Sequence, residues 1–343
     1  MFDATSLPPI PTATKWRAPE LTPIENIHIN VDFSDLAPAA EELAAAGRSA
    51  ETIEAHEIQL GAAEAGLSAL SDTLRNGRGI AVVPNFPVGL PHDAIELVFW
   101  RCGLFLGTPV SQSVMGDRLG HVIDVTKTDP HARAYRRNEK LTPHTDPADY
   151  LAFLCIQPAA VGGESLFMSA LEVHDMLRAD HPDLLERLYR GYRWSRFGEQ
   201  ADNEDPITPH RIPVFSERDG LISTRVVRQY VEIAADEDPS ITLDDLDIAA
   251  FDYIDDVAMN PELALRFTLT RGQAIFANNY TIWHARTGFE DAEGVPPRHL
   301  LRLWIDGDPR RPVVDDIQIY PGTVGIGPQP GRTPSYETDV EVI

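Results

Sequence analysis

Cysteine is scarce in this 343-residue chain, which has only Cys102 and Cys155. Both lie in apolar runs, Phe99-Trp100-Arg101-Cys102-Gly103-Leu104-Phe105 and Leu151-Ala152-Phe153-Leu154-Cys155-Ile156. They read as buried free thiols in a reducing compartment. No CxxC or Cys/His zinc pattern is present. Basic residues are also few: 29 Lys and Arg stand against 53 Asp and Glu, a net charge of −24. Such a chain repels phosphate backbones and anionic lipid surfaces, which argues against nucleic-acid binding and membrane attachment. No stretch approaches the ~18 uncharged apolar residues of a membrane span. Residues 1–9 carry neither a basic region nor an apolar one, so no signal peptide is expected. The expectation is a soluble, cytoplasmic protein. No GxGxxG or phosphate loop occurs, and strands and helices do not alternate as βαβ units, which argues against a doubly wound sheet.

What is present is an ordinary globular composition, 43% hydrophobic and 24% charged. Length alone allows two domains, although large β-rich units with insertions reach this size as one. The core is large enough to need no disulfide or structural metal. Helical patterns fit residues 35–47, 62–74 (Leu67, Leu70 and Leu74 on one face, Gly77 just beyond) and 93–105. Further helices begin near Leu171 and Pro182, and one opens at Thr242 and runs to about Met259, with Leu243, Leu246, Ile248, Phe251 and Ile254 as its apolar stripe. Strands are expected at 79–84, 121–125, 150–157, 164–167, 191–197, 212–215, 221–225, 273–277, 281–284 and 300–305. Many short strands with helical insertions suit a mainly β fold, a jelly-roll or double-stranded β-helix core. Residues 1–34 read as an extended N-terminal arm, 35–305 as a single domain, 198–213 as a polar loop of lid length with a Gly198 hinge, and 306–343 as an irregular tail.

Metal chemistry needs histidine and carboxylate. With 11 His and this acidic content, about 1.7 His-x-Asp/Glu triplets are expected by chance, and two occur. His181-Pro182-Asp183 precedes a helical run, and Pro beside an acidic residue is a helix start. His144-Thr145-Asp146 comes just before the apolar strand at 150–157. In extended backbone, residues i and i+2 share a side, so His144 and Asp146 can offer two ligands to one metal. His284, at the end of the late strand, supplies a third. The other histidines sit in polar or helical settings, and His299 neighbours Arg298 in a strand. Two His and one carboxylate leave open positions for oxygen and a chelating co-substrate, the facial triad of non-haem Fe(II) oxygenases. The same three ligands could instead hold zinc in a hydrolase, or the pocket could be a catalytically silent binding site.

The constellation of His144-x-Asp146, distal His284 and Arg298 fourteen residues later resembles the taurine dioxygenase (TauD/TfdA-like) family of Fe(II)/2-oxoglutarate-dependent oxygenases. Gly77-Arg78-Gly79-Ile80-Ala81-Val82-Val83-Pro84 resembles the family's first core strand, and Leu106-Gly107-Thr108-Pro109 its following helix end. Gly162-Gly163-Glu164-Ser165, His284-Ala285-Arg286-Thr287-Gly288-Phe289 and Arg298-His299-Leu300-Leu301-Arg302 are similar to its later segments. Order and spacing agree over about residues 75–305.

The resemblance implies iron on His144, Asp146 and His284, with 2-oxoglutarate and molecular oxygen as co-substrates. It implies oxidation, by hydroxylation, of an unactivated carbon in a small organic substrate, with succinate and carbon dioxide released. Arg298 would take the distal carboxylate of 2-oxoglutarate as a bidentate fork, with a hydroxyl donor from Ser165. A surface arginine and a strand-edge hydroxyl are the alternatives. Arg302, four residues on, would reach an anionic substrate or else pair with Asp306. Asn278 and Asn279 either orient the ligands or serve a turn, and Arg225 reads as structural. Halogenating relatives lack the carboxylate ligand, so Asp146 favours hydroxylation. The basic cluster Arg133, Arg136, Arg137 and Lys140 either attracts an anion to the mouth or is a solvated loop. A homo-oligomer is left open.

Overall fold

Two antiparallel sheets form the centre of the computed structural model, which describes residues 3–125, 137–320, 322–329 and 331. The early strands are β1 (Ile80–Val83), β2 (Gly107–Pro109), β3 (Leu119–Val122), β4 (Leu141–His144), β5 (Tyr150–Gln157), β6 (Val161–Gly162) and β7 (Ser165–Ser169). The later ones are β8 (Phe215–Arg218), β9 (Leu221–Thr224), β10 (Ala264–Phe267), β11 (Ala274–Asn278), β12 (Ile282–Arg286), β13 (Phe289–Glu290) and β14 (His299–Gly307). Helices are α1 (Ala18–Leu21), α2 (Leu36–Ala45), α3 (Ala63–Arg75), α4 (His92–Leu106), α5 (Ala170–Asp180), α6 (Pro182–Arg190), α7 (Arg228–Glu237) and α8 (Asp245–Met259). The major sheet runs β1-β11-β5-β14-β2 with β3 also on β14, and the minor sheet runs β10-β7-β12-β4. β6 pairs with β13, and β8 with β9.

Strand alternation sorts the apolar residues into three layers. Ile80, Val82, Ile275 and Leu300 of the major sheet meet Phe167 and Ile282 of the minor sheet in the jelly-roll interior. Their neighbours Ala81, Val83, Phe276, Leu301 and Leu303 face the other way and pack under α2, α3 and α4. The outer side of the minor sheet, with Leu166, Met168 and Trp283, lies under α5, α6 and α8. This is the jelly-roll architecture expected. Residues 3–34 carry short turns and α1, and they lay Trp16, Leu21, Ile27 and Val31 into the body. The main chain of Ile29 donates to the Val82 carbonyl at 2.8 Å.

Several expectations are corrected. The last long helix starts at Asp245, not Thr242, because Asp244 caps it and Asp247 reciprocates with its own side chain. Phe251 and Ile254 are buried as expected, but Leu246 and Ile248 face solvent, and Ala250 and Val257 take their places. Helix α7 and strands β2, β4, β6, β10 and β13 lie outside the expected elements, and β8 begins at Phe215, where the strand expected at 212–215 would end. Residues 191–197 make only isolated bridges, Tyr192 with Ile212 and Ser195 with Ile207. His181-Pro182-Asp183 does start α6, with His181 as the residue before its first turn. Cys102 and Cys155 are both free and buried, and burial pushes each thiol up to about 12. Among the described residues no helix is long and apolar enough to cross a membrane.

Trp283 on β12 is fully buried, and its Nε1 donates to Thr224 Oγ1 at 2.9 Å, tying the minor sheet to β9. Thr224→Val keeps the volume but strands that indole N–H. It should lower stability by about 1–3 kcal/mol, read as a lower urea midpoint at unchanged slope. An unchanged midpoint would show that this link contributes nothing.

Candidate metal centre and its cavity

His144 ends β4 and lies directly opposite His284 in β12. Their ring centres are 4.1 Å apart. Two residues beyond His144 the chain brings in Asp146, whose Oδ2 is 3.8 Å from His284 Nε2. One ligand atom from each of the three lies within 4.8 Å of the others. Bonds of about 2 Å to a common ion are reached from there by small side-chain rotations. The donors are suitably prepared. Nδ1 of His144 donates to the Thr142 carbonyl at 2.8 Å, which leaves Nε2 with its lone pair. Asp146 Oδ2 is buried and accepts no hydrogen bond, an arrangement that a cation would complete. The residues therefore fit an iron ion in facial coordination.

The His-x-Asp loop is held from behind. Thr145 faces away: its N–H donates to the Val226 carbonyl at 2.8 Å, and Val226 N–H returns to Thr145 Oγ1 at 3.1 Å. Arg225, 1% exposed, donates through Nη1 to the carbonyl of Asp146 and stacks 5.0 Å from the ring centre of Tyr280. This arginine read as structural from sequence alone, yet it grips the backbone of a candidate metal ligand. Of the two asparagines, Asn279 Oδ1 accepts from the Asp146 N–H at 3.3 Å. Asn278 serves the turn instead, donating to the Leu74 carbonyl and accepting from Tyr280 N–H.

Burial pushes the His284 imidazole down to about 3, and it also lowers His144 against the pull of Asp146. Both rings are thus neutral near pH 7, the form that ligates metal. Burial opposes charge on Asp146, but the flanking imidazoles and the Arg302 guanidinium outweigh it and hold the carboxyl below its usual range.

The same cavity is lined by Ser165 and by Arg286, Arg298 and Arg302. Arg298 is 5% exposed, and its Nη1 is buried without a hydrogen bond. The Gly162-Gly163 turn passes beside it with φ of +73° and +69°. A Cβ on Gly162 would sit 2.3 Å from the Gly288 carbonyl oxygen, and one on Gly163 would lie 3.4 Å from Arg298 Nε, an ordinary contact. Glycine is what lets this chain run so close. Arg302 donates through Nε to Gln112 Oε1 at 2.6 Å and lies 4.7 Å from the Trp304 ring centre. Asp306, the alternative partner weighed for Arg302, forms an ion pair with Arg310.

Sequence reasoning assigned no role to Arg286. Its Nη2 donates to the carbonyls of Arg137 and Glu139 at 2.6 and 2.5 Å, and its Cζ lies 4.9 Å from the Phe289 ring centre, as does that of Arg298. Burial, with repulsion from Arg298, pushes Arg286 down to about 9. Sequence reasoning also missed the tail: Ile319, Tyr320 and Ile326 line the cavity. Glu199 lines it from the 198–213 segment, which is pinned by the two bridges above and bends at Gly198, where φ is +76°. Of the basic cluster, Arg133 and Arg136 lie outside the described residues.

Two antiparallel sheets with two histidines and a carboxylate at their shared cavity define a non-haem iron oxygenase class. The match to the family described as "Taurine catabolism dioxygenase TauD, TfdA family" spans residues 37–304, and the chain belongs to that family. It is a non-haem Fe(II)/2-oxoglutarate-dependent oxygenase. Among curated relatives, FR-33289 synthase of Streptomyces rubellomurinus is 28% identical over 280 residues, covering 80% of this chain and 82% of the relative. A taurine hydroxylase-like protein, SAT17, of Stachybotrys chartarum is 32% identical over 171 residues, 49% of this chain and 42% of that one. In fold, the chain is similar to an asparagine oxygenase (TM-score 0.61, 16% identity, 82% of this chain and 93% of the other). It is equally similar to the non-haem iron oxygenase OrfP, solved with Fe, succinate and (3S)-hydroxy-L-Arg (TM-score 0.61, 16% identity, 88% and 99%).

Arg225→Met removes the donor to the Asp146 carbonyl while keeping an unbranched apolar stem. It should weaken Fe(II) binding roughly 10–100-fold, measured by competition with a chelator. Unaltered affinity in the folded variant would show that Arg225 does not position the ligand.

Proposed function

We propose that His144, Asp146 and His284 hold the iron, that Arg298 takes the distal carboxylate of 2-oxoglutarate with Ser165 as a hydroxyl donor, and that the enzyme hydroxylates a small anionic substrate read by Arg302. One observation carries the reading. Three ligand atoms converge within 4.8 Å in a cavity that also holds a buried guanidinium with an unpaired Nη1. A buried arginine of this kind calls for an anion.

When bound, iron with oxygen and 2-oxoglutarate supplies the oxidising chemistry, inserting one oxygen atom into a C–H bond and releasing succinate and carbon dioxide. The protein's part is placement and exclusion of water. Arg298 and Ser165 fix the remote end of 2-oxoglutarate, so that its other end is presented to the open metal positions. Gln112 and Trp304 hold the Arg302 guanidinium at the wall near the ligands, where a substrate anion is drawn in and oriented. Its charge bears on His144, Asp146 and His284, which supports a place close to the reacting centre. Phe153 and Phe167, with Tyr320 from the tail, keep the cavity apolar around these few polar groups. The 198–213 loop borders the cavity through Glu199.

Arg298→Ala should raise the 2-oxoglutarate concentration needed for half-maximal succinate formation by roughly 30-fold or more, the cost of about 2 kcal/mol for a lost buried charge contact. Iron affinity should stay within about threefold. Equal losses in both would contradict the assigned role.

A further inference from the structure

A second group of histidines lies on the other face of the major sheet. Strand alternation turns Arg298, Leu300 and Arg302 toward the cavity and His299 toward α4. His121 on β3 is paired directly with Leu301, so it shares that outer face with His299, one diagonal step away. His121 Nδ1 is 3.0 Å from His299 Nε2. His92, the first residue of α4, and Glu96, one turn later, project onto the same spot. Glu96 Oε1 lies 3.0 Å from His92 Nε2 and 3.7 Å from His121 Nε2. The three ring centres are 5.2–6.2 Å apart. Ligand nitrogens from the three histidines converge within 4.8 Å of one another.

We propose that His92, His121, His299 and Glu96 form a second, structural site for a divalent metal of the zinc class, clamping α4 to the β3–β14 rim of the major sheet. Three imidazoles and one carboxylate are a borderline-soft nitrogen-rich set, suited to Zn2+, Co2+ or Ni2+ rather than to Mg2+ or Ca2+. Metal bonds of about 2.0–2.1 Å in a tetrahedron put neighbouring donors about 3.3 Å apart. The 3.0 Å from His92 Nε2 to Glu96 Oε1 is close to that value, and so is His121 to a neighbour through either ring nitrogen, 3.7 Å from Nε2 to Glu96 Oε1 or 3.0 Å from Nδ1 to His299 Nε2. His92 Nε2 is buried against Glu96 Oε1, whose carboxylate raises the imidazole above its usual range, and a metal ion would take the place of the shared proton. Either ring nitrogen of His121 can serve, and ligation through Nδ1 replaces its contact with His299. The side chains of His92 and His121 keep 34% and 27% of their surface open, so an ion can enter from solvent. The four residues come from one helix and two strands that meet only in the folded chain. Occupancy therefore adds to folding stability.

The test is a titration of the chelator-treated full-length protein with Co2+ without oxygen, following bound equivalents and visible absorption. Wild type should bind two equivalents, one of them with the intense visible band of four-coordinate cobalt. His144→Ala should keep one equivalent together with that band. His92→Gln combined with His121→Gln, at two partly exposed positions, should keep one equivalent and lose the band. Glu96→Gln, a milder change, should weaken the second equivalent about tenfold. A single equivalent in wild type, or a band that survives in the double variant, overturns the proposal in favour of a hydrogen-bonded histidine cluster.

Discussion

The antiparallel pairing of β4 with β12 is the constraint on which the rest of the site depends. It sets His144 opposite His284, and a one-residue slip would turn one of the two rings to the other face. β4 is a poor strand by itself: four residues, Leu141–His144, with Pro143 among them. Its position is enforced from outside, by Val226 against Thr145, Val227 against His144, and Arg225 against the Asp146 carbonyl. The segment after β9 is thus the template on which the His144–Asp146 loop is laid. The Trp283–Thr224 hydrogen bond joins that template to the strand carrying His284.

Charge follows the same economy. The chain carries a net −24, yet Arg286, Arg298 and Arg302 are all at least 93% buried around one cavity. Burying three guanidiniums is costly unless anions answer them. Carbonyl oxygens answer Arg286 and Gln112 answers part of Arg302, while Nη1 of Arg298, a residue that lines the cavity, is buried without a protein acceptor. An acidic exterior with a cationic interior suits a site whose co-substrate is a dicarboxylate.

Much of this was legible in the sequence, for physical reasons that differ by element. α3 and β5 were legible because their apolar spacing is dictated by a buried face, and the nearness of His144 to Asp146 because i, i+2 spacing in extended chain is a geometric statement about side chains. The helix start at Asp244 depends on a reciprocal cap that outweighs the plausible Thr242. β4 has no alternation to read, since it is specified by its neighbours. Ile319, Tyr320 and Ile326 come from irregular backbone, where no period marks burial. Arg225 and Arg286 act through carbonyl groups, and sequence spacing is silent on such contacts. His92, His121 and His299 each look unremarkable alone; only the β3–β14 register and the approach of α4 bring them together.

Iron on His144, Asp146 and His284 would meet 2-oxoglutarate in one cavity. Adding Fe(II) and 2-oxoglutarate together to the metal-free protein under anaerobic conditions tests it most directly, because chelation by the co-substrate gives a weak visible charge-transfer band. The band is expected in wild type and is lost in His284→Ala. A wild type without the band, or a His284→Ala variant that retains it, would rule out this ligand set.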